Sequence, residues 1–198
     1  ANGMIRELFK KVVRDCTIEF FTLRDSVGHK SYIRAAKMLF LKSMSDVFGA
    51  RAARESCVEF SIGRGLYVNT LGKVPATEES ARLIKRRMGE LVEARTPFMK
   101  KSYPLDDAME LFGEKGMEDK VKLFRFRMGS TVNIYEIEGY YDYYYGYMLP
   151  NAGYIRWYDV IPYEEGFMLV LPSESRPTTL EPFTESRKLL DTVESAKC

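Results

Sequence analysis

Asp142 stands in the run Tyr140-Tyr141-Asp142-Tyr143-Tyr144-Tyr145, a carboxylate set among aromatic rings. If the run is a strand, alternate side chains share a face. Asp142 then projects with Tyr140 and Tyr144, while Tyr141, Tyr143 and Tyr145 project the other way. A charge held among rings is costly unless it is paired, and Lys120 or an arginine is the expected partner. Two uses stay open. The tyrosines could be stacking platforms in a pocket for a polar small molecule or a nucleotide. Equally, they could be cross-strand pairs that steady a sheet.

Other chemistries lack their residues. The sequence has one histidine, His29, which reads as a loop residue just before a helix, and three cysteines, Cys16, Cys57 and Cys198. Their number and wide spacing suggest neither a disulfide framework nor a zinc site. Gly72-Lys73 is followed by Val74, and Tyr67 stands where a P-loop needs its first glycine. Gly63-Arg64-Gly65 lacks the third glycine of a dinucleotide fingerprint and reads as a hairpin turn. Most carboxylates, such as Glu78, Glu79, Asp106 and Asp107, fall on helical faces and read as caps and solvation. No catalytic residue and no metal ligand is expected. The net charge of +2 carries no global nucleic-acid signature, leaving only clusters such as Lys10-Lys11, Lys85-Arg86-Arg87 and Lys100-Lys101. With no apolar run near the roughly 20 residues of a membrane span and no leader pattern at the start, the expected setting is a reducing cytoplasm without membrane contact.

The elements that must position Asp142 follow from periodicity. Ser31–Phe48 is the clearest helix, with Ile33, Ala36, Phe40, Met44 and Val47 at helical spacing and Gly49 as its stop. Met38, Leu39 and Leu41 widen its apolar face, so burial on more than one side is expected. Thr77–Arg95 is a second amphipathic helix, capped by Thr77 and buried through Ala81, Ile84, Met88 and Leu91. Short helices are expected at Leu105–Phe112, opened by Pro104, and at Met117–Leu123. Strands are expected at Cys57–Ile62 and Leu66–Val68 as a hairpin, then at Phe98–Tyr103, Val132–Ile137, the tyrosine run, Tyr154–Ile161 and Phe167–Leu171. The segment Asn2–Leu23 reads as two further strands. Beyond Pro172 the composition turns to Ser, Thr, Pro and Glu without a core pattern, a linker, and Ser186–Ala196 reads as one more helix.

The ordered set Gly65-Leu66-Tyr67, Met88-Gly89-Glu90-Leu91, Ala108-Met109-Glu110-Leu111-Phe112, Gly116 to Val121 and Tyr141 to Gly146 resembles the second additional domain of threonyl- and alanyl-tRNA synthetases. The resemblance covers roughly Ser31–Leu171. It implies an α+β fold, an antiparallel sheet packed against a long helix and a second amphipathic helix, in a domain type that hydrolyses mischarged aminoacyl-tRNA. The family's paired histidines fall at Arg34 and Met38, and its later cysteine and histidine at Tyr144 and Met148. Only Lys120 and Asp142 match its polar site residues.

Asn2-Gly3, Ile5-Arg6-Glu7-Leu8, Asp15 to Phe20 and Pro150 to Tyr154 also resemble the N-terminal region of a bacterial kinase family related to uridine kinase and phosphoribulokinase. This second resemblance implies three parts. Residues 1–25 would be the tail of a ubiquitin-like TGS domain, 26–172 the editing-like domain, and 173–198 a linker and short helix before a kinase domain using ATP and magnesium.

The leading expectation is thus a non-catalytic ligand-binding or regulatory accessory domain. Its ligand pocket would comprise Arg34, Met38, Lys120, Asp142, Tyr144 and Met148. Lys120 and Arg34 would hold an anionic or carbonyl group, Asp142 would accept hydrogen bonds and Tyr144 would line the wall. The partners would be a small-molecule, nucleotide or tRNA ligand and the downstream kinase domain. The alternatives are an aminoacyl-tRNA deacylase and a tRNA- or RNA-binding module contacting phosphates through Lys85, Arg86 and Arg87.

Overall fold

The computed structural model describes residues 3–62 and 65–183, and the expected helix at 186–196 lies outside them. A long helix, α1 (Ser26–Phe48), runs through the middle of the fold. Tyr32, Ala35, Ala36, Met38, Leu39, Phe40 and Met44 are all fully buried. So many consecutive buried positions cannot share one helical stripe, and α1 is covered on several sides. It ends at Gly49, whose φ of 91° few other residues adopt readily. A short helix α2 (Ala50–Glu55) follows. The second amphipathic helix, α3 (Glu78–Glu93), packs on α1 through Ala81, Ile84, Met88 and Leu91. Its N-cap is Thr77, whose side chain accepts from the Ser80 N–H.

The strands divide into two antiparallel sheets among the described residues. The first has the order β1 (Cys57–Ile62), β2 (Gly65–Asn69), β7 (Gly166–Val170), β6 (Asp159–Tyr163). Pro162 is tolerated in β6 because β6 is an edge strand. Central β7 is buried along its whole length. Phe167 and Leu169 join the α1 core, and Phe167 meets the Phe40 ring at 6.3 Å. Met168 and Val170 face the other way, where Tyr67, Tyr163, Leu180 and Phe183 cover them.

The second sheet has the order β3 (Met99–Pro104), β4 (Thr131–Ile137), β5 (Tyr140–Tyr143). Glu138 and Gly139 join β4 to β5 with φ of 44° and 77°, the pair of positive values that a two-residue I′ hairpin demands. The turn fixes the register: Ile134 opposes Tyr143, Tyr135 opposes Asp142, and Ile137 opposes Tyr140. One face, with Val132, Ile134, Tyr141 and Tyr143, packs on α4 (Leu105–Glu114) and α5 (Glu118–Arg125) through Phe112 and Phe124. The opposite face, with Tyr135, Ile137, Tyr140 and Tyr144, joins the α1 core. The α+β class and the antiparallel pairing are as expected from sequence, but the one sheet expected is two among the described residues.

Four local expectations need correction. The segment 3–25 forms no strand. Its β-formers, among them Ile18, Phe20 and Phe21, are exposed and meet no strand edge, and β preference without a partner is weak. Helix α1 starts at Ser26, so His29 lies in its first turn, where its N–H donates to the Asp25 carbonyl at 2.8 Å. The polar residues of that turn hide the helix from an apolar-periodicity reading. Tyr154 belongs to a short 3-10 turn (Ala152–Tyr154) rather than a strand, because the Asn151 side chain caps the Gly153 N–H. Leu180 and Phe183, expected in a linker without core pattern, pack on the outer face of the first sheet.

Close approach of β2 and β7 makes a sharp test. A Cβ on Gly166 would lie 2.0 Å from the Val68 carbonyl oxygen, whereas one on Gly113 in α4 meets nothing. Gly166→Ala should therefore lose about 3 kcal/mol or more in urea unfolding, while Gly113→Ala should gain roughly 0.5–1 kcal/mol. Equal effects would show that the β2–β7 spacing is wrong.

Candidate functional site

Cross-strand register builds the site. Lys100 on β3 opposes Tyr135 on β4, and Tyr135 opposes Asp142 on β5. These three side chains therefore form one row across the inner face of the second sheet. The parity read from the sequence holds: Asp142 shares its face with Tyr140 and Tyr144.

Asp142 is almost completely buried, with its side chain 5% exposed, and its charge is balanced from two helices. Lys120, near the start of α5, brings its ammonium to 3.4 Å from Asp142 Oδ1 and 3.2 Å from Asp119 Oδ2. The Tyr143 N–H donates to Asp142 Oδ1 at 2.7 Å. Burial works against the Lys120 charge, but Asp142 and Asp119 outweigh it and raise the Lys120 pKa. Lys37 of α1 is the second cation, its Nζ 5.6 Å above the Tyr144 ring. For Lys37 burial wins: its pKa is lowered, with Asp142 opposing the shift and Lys120 adding to it. The Tyr144 hydroxyl is buried without a hydrogen bond of ordinary geometry. Burial, and then the neighbouring Asp142 charge, push its pKa well up, and Tyr140 shifts the same way for the same reasons.

The six expected pocket residues are not all brought together. Lys120 and Asp142 pair directly, and Tyr144 feels the Asp142 charge. Arg34 instead turns toward the chain beyond β5, donating from Nη1 to the Tyr147 carbonyl at 3.2 Å. Gly146, at φ 114°, makes room for it, since a Cβ there would lie 2.8 Å from the guanidinium carbon. Met38 is fully buried and Met148 nearly so, both in the core cluster that holds Tyr144. Lys37 was missed. Its signal was a lone lysine inside the apolar stretch Ala35–Leu41, one residue before the position chosen.

A second missed residue is Glu7. It is a buried residue in an otherwise largely exposed stretch, residues 3–13. Its carboxylate lies 2.9 Å from Lys100 Nζ and accepts from the Tyr135 hydroxyl at 2.5 Å and from the Met148 N–H at 3.3 Å. Lys100 also lies over the Tyr135 and Tyr147 rings, at 5.4 and 6.0 Å. Burial first, and then the Glu7 carboxylate, raise the Tyr135 pKa, so the phenol remains a donor. Beside this group opens a cavity of about 310 Å³ lined by Lys100, Arg127, Asn133 and Tyr143 to Tyr147. Of the six expected residues, only Tyr144 contributes to it.

The basic run Lys85-Arg86-Arg87 is engaged within the fold. Lys85 pairs with Asp159 at 2.7 Å, and Arg87 with Asp46 and Glu138 at 2.9 and 3.1 Å. Among the described residues no group of three His, Cys, Asp or Glu side chains is placed to hold a metal ion. No helix among them is long and apolar enough to cross a membrane.

No family model matches the chain. It is similar to the threonine–tRNA ligase of Porphyromonas gingivalis, 24% identical over 162 residues that make up 78% of the chain and 24% of the ligase. The ligase of Syntrophotalea carbinolica is 26% identical over 156 residues, again 78% of the chain and 24% of the ligase. With that of Nitratidesulfovibrio vulgaris the identity is 32% over 96 residues, 48% of the chain and 15% of the ligase. The chain thus spans 24% of the length of the first of these relatives.

Removing the Asp142 charge tests the charge balance. Asp142→Asn leaves Lys37 and Lys120 facing each other in a buried setting. It should cost roughly 2 kcal/mol near pH 7. Without Asp142 the Lys37 pKa falls further below its unfolded value, so stability regained on deprotonation rises with pH. In the parent chain the raised Lys120 pKa gives stability that is full below the unfolded pKa and lost as pH climbs through the folded one. Both effects narrow the gap between variant and parent toward alkaline pH. Urea unfolding at neutral pH and at about pH 9.5 would check the Lys37 effect, since the Lys120 contribution is still intact there, and a constant or widening gap would refute the charge balance.

Proposed function

We propose that this chain is a binding module of the editing-domain type found in threonine–tRNA ligases, holding the end of an RNA without hydrolysing it. The observation that carries this is the environment of Asp142. General-base ester hydrolysis most often uses an imidazole or a carboxylate free to take a proton from water. Here Asp142 is neutralised by the Lys120 ammonium, with Lys37 close by. The surrounding hydroxyls, Tyr140 and Tyr144, have pKa values raised well above the usual phenol value and remain protonated. The positions that resemble the family's imidazole and thiol groups carry Arg34, Met38, Tyr144 and Met148. What remains suits recognition: ammonium groups for phosphate or carbonyl oxygens, and tyrosine faces for bases.

A kinase domain further along the same polypeptide, with its ATP and magnesium, is a separate proposal to which the ligases above lend nothing. Sequencing the gene beyond Cys198 for a Gly-x-x-x-x-Gly-Lys-Ser/Thr loop tests it.

Binding of uncharged threonine-accepting tRNA is the direct measurement. With two or three single-strand phosphate contacts, Kd should rise roughly tenfold between about 50 and about 200 mM salt. Lys37→Met should weaken binding, and incubation with mischarged tRNA should release no amino acid. Turnover would establish a deacylase instead, and salt-independent or absent binding would reject the RNA assignment.

A further inference from the structure

The grouping of Lys100, Tyr135 and the Met148 N–H points to an oxyanion-binding site that the chain fills in cis with Glu7. We infer that a free phosphate or carboxylate competes with Glu7 for these donors and releases the stretch that carries it, short of Leu23, which packs on the core. The proposal goes beyond the RNA assignment and involves no nucleic acid.

Three kinds of donor converge on one carboxylate: an ammonium at 2.9 Å, a phenol at 2.5 Å and a backbone N–H at 3.3 Å. A mixed charged and neutral donor set of this kind grips oxyanions of several shapes. The donors belong to the framework, because Lys100 and Tyr135 are cross-strand neighbours on β3 and β4. Lys100 is steadied further by the rings of Tyr135 and Tyr147. The occupant belongs to something looser. Between residues 3 and 25 the chain forms no helix or strand. Around Glu7 the residues Met4, Leu8, Phe9, Val12 and Val13 are all exposed, so little apolar burial holds this stretch down.

The site also has room next to it. The 310 Å³ cavity shares Lys100 with the Glu7 contact and adds Arg127 and Asn133 beyond it. An anion entering from this cavity would meet Arg127 and Lys100 before it displaced Glu7. Arg34 adds positive charge from the other side, where it holds the Tyr147 carbonyl and lowers the cost of a charged phenol at Tyr135. A ligand with a ring attached to its anion could lay that ring against Tyr143 to Tyr147. Removing Glu7 without replacing its charge would leave the half-buried Lys100 ammonium without this partner, which favours binding of an external anion.

Limited trypsin digestion of the whole chain is the test, reading cleavage after Lys10, Lys11 and Arg14. Inorganic phosphate at millimolar levels should speed that cleavage several-fold over sodium chloride of equal ionic strength, and acetate run in parallel separates the two anion classes. Glu7→Gln should raise the basal cleavage rate and remove its dependence on phosphate. The same variant should bind phosphate more tightly than the parent by calorimetry, and Lys100→Met should abolish that binding. If phosphate, acetate and chloride give equal cleavage in the parent chain, the site is only a tether and the proposal fails. Because the parent chain supplies that reading, an unstable variant does not shield it. A failure of tRNA binding leaves this result untouched, and the reverse also holds.

Discussion

Helix α1 has no solvent face along most of its middle, and the rest of the molecule is arranged to supply the missing cover. Tyr32, Met38, Leu39, Phe40 and Met44 are all fully buried. Each such side chain is worth roughly 1.5–3 kcal/mol only while its neighbours exclude water. The first sheet, the second sheet and α3 each take part of the surface. Where α1 does carry polar groups, they are tied off. The Tyr32 hydroxyl donates to the Trp157 carbonyl at 2.6 Å and accepts from the Trp157 N–H. Lys42, almost wholly buried, pairs with Asp46 and donates to the Glu138 carbonyl.

The two sheets inherit their chemistry from this arrangement. The α1 core covers part of one side of the second sheet, and α4 and α5 pack on the other. Its inner side chains include three phenols, Tyr135, Tyr140 and Tyr144, and a carboxylate. Burial of Asp142 is tolerable because α5 and α1 deliver Lys120 and Lys37 from different directions. The carboxylate at the centre of the sheet is thus held as an ion pair. The same rule explains Glu7, whose charge is buried only because Lys100, Tyr135 and the Met148 N–H are already in place.

Legibility from sequence followed the range of the interaction. Thr77 as a cap and Pro104 as a helix opener act over a few residues. The tyrosine run likewise declared its alternation. Residues 3–23 had comparable β character, yet they join no sheet, because strand formation needs an edge that lies elsewhere in the chain. Leu180 and Phe183 looked like linker residues because their partners Tyr163, Tyr67 and Met168 stand at a distance in sequence.

The sequence by itself determined which segments are helices and strands over most of the chain. It also determined that Asp142 would face inward with Tyr140 and Tyr144, and that Lys120 was a candidate partner, because periodicity and turn geometry are local properties. The tertiary structure alone decided that the strands form two sheets, and that Lys37, its ammonium over the Tyr144 ring, is the α1 cation influenced by Asp142. It alone brought Glu7 across 93 residues to Lys100. Those outcomes depend on how helices rotate and where a loosely held segment settles, and packing against distant surfaces fixes both.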